Sequence, residues 1–278
     1  MLISLENHQL IKISGPDSAK YLQGQLTCDV NKLELNTSTL MAHCDAKGKV
    51  MSLSRLYRQE ENCFYVLVRK NILEVSLSHL KKYAVFSKVE FEVLDWQIVG
   101  AIDEQIEITC DENSLLINVA DNRQILCAEH IHLQNLEMNF KLWDLADIKA
   151  GIPILSKENV DEFIPQALNL QAIGDTISFK KGCYIGQEII ARAKYRGINK
   201  RAMFVFSAKT SEIPEVGGGI EIQLENGWRK TGAILAVVQD NETLWLEVVL
   251  NKTEEQSCYR LQNSEIQLIP YSLPYELS

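Results

Sequence analysis

The sequence predicts an α+β fold that passes, near Arg201, into a small antiparallel β domain. Three observations carry this. Over the first two hundred residues, short alternating apolar runs interleave with segments of helical period. After Arg201 the helical period disappears, and RAMFVFSA, GIEIQL, TGAILAVV, TLWLEVVL and CYRLQ are separated by GGG, ENGW and QDNET turns. The composition, 46% hydrophobic and 23% charged over 278 residues, is that of a globular chain long enough for two or three small cores.

The elements follow in order. Ile11 to Gly24 begins as a strand and becomes a helix. Ser14 is its expected N-cap, with Asp17 three residues on, Pro16 in the first turn and Gly24 as the stop. After Leu40, MAHCDAKGKVMSLSRLYR reads as strand, turn, strand, with turn chemistry at Asp45 to Gly48. Asn62 to Arg69 is a strand, and Asn71 to Lys82 is a helix with Ile72, Leu73, Leu77 and Leu80 on one face. Ser87 to Leu94 alternates as a strand, and short strands continue from Glu104 to Leu133. Trp143 to Ala150 is a helix ended by Gly151, and Glu188 to Tyr195 a short helix ended by Gly197.

Several function classes are disfavoured at this level. The amino terminus MLISLENHQLIKIS lacks the basic and apolar regions of a secretory signal, and no window approaches the length of a membrane helix, so a cytoplasmic address is expected. Seven cysteines, Cys28, Cys44, Cys63, Cys110, Cys127, Cys183 and Cys258, form no CxxC pair; free thiols and no stably bound metal are expected. His130 and His132 form an HxH, read as outward histidines of a strand. The default oligomeric state is a monomer.

Chemistry concentrates between Phe179 and Arg201. This stretch carries Lys180, Lys181, Arg192, Lys194, Arg196, Lys200 and Arg201 against Glu188 alone, a local +6 in a chain of net charge -9. In KGCYIGQE, Gly182 and Gly186 bracket Cys183 just ahead of the predicted helix. Cationic neighbours and a helix N-terminus both favour a thiolate, so Cys183 is a candidate nucleophile, redox-sensitive thiol or transient ligand. The alternative is a small residue chosen for tight packing, beside a basic run that pairs with the acidic remainder. No His or Asp partner stands at fixed spacing, so a protease-like dyad is not assigned.

KGCYIGQE closely resembles the K-G-C-[FY]-x-G-Q-E signature of the YgfZ family, folate-binding, tRNA-modification-associated relatives of the glycine-cleavage T-protein. The likeness extends through SGPDSAKYLQGQLTCDV, AHCDAKGK, LKKYAVFSKVE, FIPQALNLQA, the basic segment, WRKTGAILAVV and PYSLPYEL. It implies a T-protein-like clover-leaf: a first α+β lobe of ferredoxin-like character from residues 1–45 with 141–200, a second from 46–140, and a C-terminal antiparallel β-barrel over 201–278, around a central folate cavity. It further implies binding of tetrahydrofolate or a derivative, and support of the synthesis or repair of iron-sulfur enzymes, including a tRNA methylthiotransferase. Cys183 and Lys181 match the signature positions held to matter for that activity.

The resemblance also places Trp143 and His8 at the folate site. Trp143 matches a family tryptophan, its indole suited to stacking on a pterin; the plainer reading makes it the apolar anchor of its helix. His8 stands where the family has a second tryptophan. Aminomethyltransferases of the T-protein group carry an aspartate where this chain has Ser52 and Leu53, which disfavours one-carbon transfer as the alternative function. A pI near 5.2 argues against direct tRNA binding.

Overall fold

The computed structural model describes residues 1–106, 114–119, 122–254 and 257–277. Cys110, and the strand expectation where it crosses 107–113 and 120–121, lie outside them. The chain divides into two compact units, Met1–Trp143 with Gly174–Gln187, and Asp144–Ile173 with Glu188–Ser278.

In the first unit the chain runs through β1 (Leu2–Ser4), β2 (His8–Ser14), helix α1 (Ser18–Gln25), β3 (Thr37–Cys44), β4 (Val50–Glu60), β5 (Cys63–Arg69) and helix α2 (Leu73–Lys82). It continues through β6 (Glu90–Leu94), β7 (Gln97–Ile102), β8 (Leu115–Val119) and β9 (Arg123–Ala128). Two antiparallel sheets result, one ordered β3-β4-β5-β2-β6 and the other β1-β7-β9-β8. Their inward residues share one core. Leu10, Tyr57, Tyr65 and Leu67 of the first sheet pack with Ile3, Ile98, Leu115, Ile117 and Ile125 of the second.

The expected start of the first helix is corrected. Ser14 is the last residue of β2, paired with Cys63 and Glu90, and α1 begins only at Ser18. The cause is Gly15. It turns at φ +123° so close to the next segment that a Cβ would stand 2.3 Å from the Lys88 carbonyl oxygen. Asp17 holds the N-cap position, but its carboxylate makes no cap bond and instead accepts the Lys88 N–H at 2.8 Å. Gly24 lies inside α1, and the helix stops at Leu26, whose extended backbone leaves the helical path.

By contrast, the Asp45 turn is as expected: its carboxylate oxygen accepts the N–H groups of Lys47 and Lys49, and Gly48 takes φ +73°. Residues 87–89 lie outside the strand, so β6 is shorter than the alternation suggested. His130 and His132 are not in a strand. They follow the end of β9 in an exposed loop, and among the described residues no three His, Cys, Asp or Glu side chains gather as metal ligands.

The second unit contains most of α3 (Lys141–Lys149) and α4 (Gln187–Arg196), and then β10 (Arg201–Lys209), β11 (Ile220–Leu224), β12 (Gly227–Thr231), β13 (Ala233–Asp240), β14 (Thr243–Asn251), β15 (Tyr259–Leu261) and β16 (Gln267–Tyr271). These strands make one curled antiparallel half-barrel, ordered β12-β11-β15-β16-β10-β14-β13. Period-two patterning explains its core. Ala202, Phe204, Phe206 and Ala208 of β10 meet Leu244, Leu246, Val248 and Leu250 of β14 on one face. On the other face Val205, Ala236 and Val238 pack with Leu145, Ile148 and Ile154. Both faces of β10 are therefore covered, which is why RAMFVFSA reads as a nearly unbroken apolar run. Gly151 at φ +67° and Gly197 at φ +60° follow α3 and α4 as expected. Among the described residues no helix is long and apolar enough to cross a membrane.

Candidate functional site around Cys183

Residues Ser178 to Gln187 form a loop laid over the end of α1 and the β3–β4 turn. Its edge is fixed by backbone and hydroxyl bonds: the Ser178 N–H donates to the Thr27 carbonyl at 2.8 Å, and the Thr27 hydroxyl donates to the Thr176 carbonyl at 2.7 Å. The Ile185 N–H reaches the Gly24 carbonyl at 3.2 Å. Gly186, at φ +80°, lies where a Cβ would come within 2.6 Å of the Asp45 carbonyl oxygen. Only glycine satisfies both that conformation and that approach.

Lys181 is the floor of the loop. It is 9% exposed, and its Nζ donates to the carbonyls of Leu26 and Cys28, each at 2.7 Å, while standing 4.8 Å from the centre of the Tyr184 ring. Burial pulls the ammonium down to about 8, and Cys28 and Asp29 partly oppose that shift. Its charge is thus committed inward. Tyr184 is buried beside it, its phenol pushed up by burial and by Cys44.

Cys183 sits between these two inward residues, yet is exposed, as is Lys180. Three residues separate it from the start of α4 at Gln187. The other described cysteines divide clearly. Cys28, Cys44, Cys63 and Cys127 are buried, and burial raises each thiol, Cys28 and Cys127 to about 12. Only Cys183 and Cys258 are exposed among the described cysteines, and Cys258 lies in the half-barrel unit. On α4, Glu188 and Arg192 form the expected i,i+4 ion pair at 2.6 Å. Lys194, Tyr195, Arg196, Ile198, Lys200 and Arg201 are exposed beyond it.

Trp143 occupies a different setting. It is 2% exposed within the shared core of the first unit, with the Arg123 guanidinium carbon 5.0 Å from its ring centre. Gly100 packs so tightly on the ring that a Cβ there would lie 2.5 Å from it. As it stands, the indole offers no open face to a pterin. His8 begins β2 opposite Arg69; its Nδ1 lies 2.8 Å from the Asn7 side-chain oxygen. Burial, reinforced by Arg69 and Lys70, holds its pKa well below the usual imidazole range, so the ring is neutral at pH 7.

Ser52 and Leu53 are both buried in β4. The Ser52 hydroxyl accepts from Ser76 of α2 at 2.8 Å and lies 3.1 Å from the Ser54 hydroxyl. One turn along α2, His79 meets the buried His43, whose pKa burial lowers to about 3. This polar seam between α2 and its sheet is not foreseen in the sequence, where Ser52 stands out only as the position of the expected aspartate. The only available signal was the repeated i,i+3 placement of Ser76 and His79 on the face otherwise holding Leu80.

Comparison with known proteins agrees with this architecture. The family model described as YgfZ, beta-barrel domain, matches residues 199–264. The chain is 51% identical over 277 residues to an uncharacterized protein of Haemophilus influenzae, covering 99% of this chain and 98% of that one. It is 40% identical over 308 residues to the tRNA-modifying protein YgfZ of Photorhabdus laumondii, with 99% and 93% covered. Among solved structures, the glycine cleavage system aminomethyltransferase T from Bartonella henselae matches with a TM-score of 0.72 at 12% identity, covering 98% of this chain and 85% of that chain. That likeness shows a shared T-protein-like fold.

Proposed function

Because this chain belongs to the YgfZ family, we propose that it is a cytoplasmic, folate-binding accessory protein that supports the synthesis or repair of iron-sulfur enzymes and thereby tRNA thiomethylation. The observation that carries the reading is the contrast within KGCYIGQE: Lys181 is tied down by two carbonyls, and Cys183, two residues on, is left open. A loop held at both ends keeps a thiol accessible without leaving it mobile. In this reading Cys183 is the working group, and Lys181 fixes its loop.

The folate part rests on the fold shared with an aminomethyltransferase and on the resemblance that pairs Trp143 and His8 with the ligand. Bound tetrahydrofolate would supply a one-carbon carrier. The closed setting of Trp143 gives that residue no stacking role unless Arg123 leaves its ring. The fold itself favours a second reading, a folate-dependent aminomethyl-type transferase. Against it, the position of the expected aspartate holds buried Ser52 and Leu53, with the Ser52 hydroxyl bonded inside the protein and no carboxylate to move a proton.

The test is tRNA thiomethylation in cells deleted for this gene and complemented with wild type or Cys183→Ala. Restoration by wild type alone supports the accessory reading through the thiol. Restoration by both variants refutes the role of Cys183. Formation of methylenetetrahydrofolate from an aminomethylated carrier would instead establish the transferase.

A further inference from the structure

The block LKKYAVFSKVE was singled out in the sequence, but the site around Cys183 makes no use of it. Its loop exposes Phe86 to 99% and Val85 to 77%, with Tyr83 at 41%. Phenylalanine is among the residue types most often buried, so a fully exposed ring on an ordered loop calls for an occupant. Lys81, Lys82 and Lys88 surround the tip and are all exposed, and no acidic residue lies between Lys81 and Val89.

The loop is held in shape. The Ala84 N–H donates to the Lys81 carbonyl at 3.1 Å, the Ser87 N–H to Ala84 at 2.9 Å and the Val89 N–H to Ser87 at 2.9 Å. Its far end is pinned by the Asp17 carboxylate on the Lys88 N–H and by Gly15 against the Lys88 carbonyl. At its near end the Tyr83 ring meets His79 edge-on at 6.3 Å, with the Lys82 Nζ 5.4 Å from its centre. An apolar tip already ordered before binding loses little conformational freedom when it docks.

We infer that the Lys81–Lys88 loop is a docking finger for a folded protein partner that presents an apolar cleft with an acidic rim. Phe86 is the anchor, Val85 widens its footprint, and the three lysines supply the charge complementarity. A single-stranded nucleic acid is a poorer fit. Stacking there uses successive open aromatic faces along a cationic groove, whereas the Tyr83 ring is already engaged by Lys82 and His79 and leaves Phe86 alone. A bilayer is a poorer fit too, because interfacial binding draws on a longer amphipathic element than this single turn. The identity of the partner rests on the function proposed above: it is the iron-sulfur enzyme that the protein serves.

The experiment titrates purified, cluster-loaded tRNA methylthiotransferase with wild type, Phe86→Asp and Lys81→Glu/Lys82→Glu. Each variant is first checked for an unchanged melting temperature. Phe86→Asp is expected to weaken binding at least about 30-fold, the scale of losing an interface anchor. The charge reversal is expected to weaken it roughly tenfold, with reduced salt dependence. Equal affinity of wild type and Phe86→Asp overturns the inference, as does absence of wild-type binding. Phe86-dependent binding of bulk tRNA or phosphatidylglycerol vesicles in place of the enzyme overturns it as well. Thiomethylation in complemented cells separates the two proposals: wild type failing to restore it sinks the accessory function, whereas full restoration by Phe86→Asp sinks the docking finger alone.

Discussion

Cys183 and Trp143, the two residues that the sequence marked most strongly, stand in opposite surroundings. The cysteine is at the open crest of a loop whose neighbours Lys181 and Tyr184 turn inward. The tryptophan is enclosed by a core, with Gly100 against its ring and Arg123 beside it. A chemical group that is open to a partner contributes little to holding the chain together, and a group at the centre of a core cannot be removed without loss of stability. The comparison therefore predicts how each position separates stability from activity.

The largest effect is expected at Trp143. Its replacement by alanine should lower unfolding free energy by about 3–5 kcal/mol, as for other large aromatic truncations in cores, measured by urea denaturation. A loss below about 1 kcal/mol combined with weakened folate binding in calorimetric titration would move the indole from the core to a ligand site. Gly186→Ala comes next, at roughly 2–4 kcal/mol, because a Cβ meets the Asp45 carbonyl and the backbone stays left-handed. An unchanged melting temperature there would mean that the loop is not seated on the turn.

Lys181→Met should cost about 1–3 kcal/mol, since the Leu26 and Cys28 carbonyls lose their donor while the desolvated ammonium is also removed. Its pH signature is more specific. With the folded pKa near 8 and the unfolded one near 10.5, the unfolded chain binds more protons between those values, so wild-type stability rises with pH across that window. The methionine variant should lack this rise; an identical pH slope would show that Lys181 is not desolvated. Cys183→Ala should change stability by less than about 0.5 kcal/mol while removing one rapidly labelled thiol. A large drop in melting temperature would place the cysteine with the packed residues after all.

Local punctuation was legible in the sequence. Asp45 to Gly48, Gly151, Gly197 and the Glu188–Arg192 pair each act through neighbours a few residues away, and the structure has them as expected. Five strands after Arg201 are legible because alternation and turn residues repeat each other's message; β12, whose first residues read as part of the ENGW turn, and β16 are not. Misreadings came from distant segments. Ser14 looked like a cap until Lys88, far along the chain, claimed both the space beside Gly15 and the carboxylate of Asp17. The acceptors of Lys181 are backbone carbonyls 155 and 153 residues away, which no side-chain pattern encodes. The enclosure of Trp143 depends on the absence of a side chain at Gly100, an equally silent signal.

The contact of Gly186 with the Asp45 carbonyl has a consequence for anyone transplanting this thiol. KGCYIGQE and AHCDAKGK, far apart in the chain, are two halves of one seat, and the eight-residue signature moved alone to another scaffold would arrive without the surface that shapes it. A successful graft has to carry the Cys44–Gly48 turn and the Leu26–Cys28 carbonyls together with the cysteine.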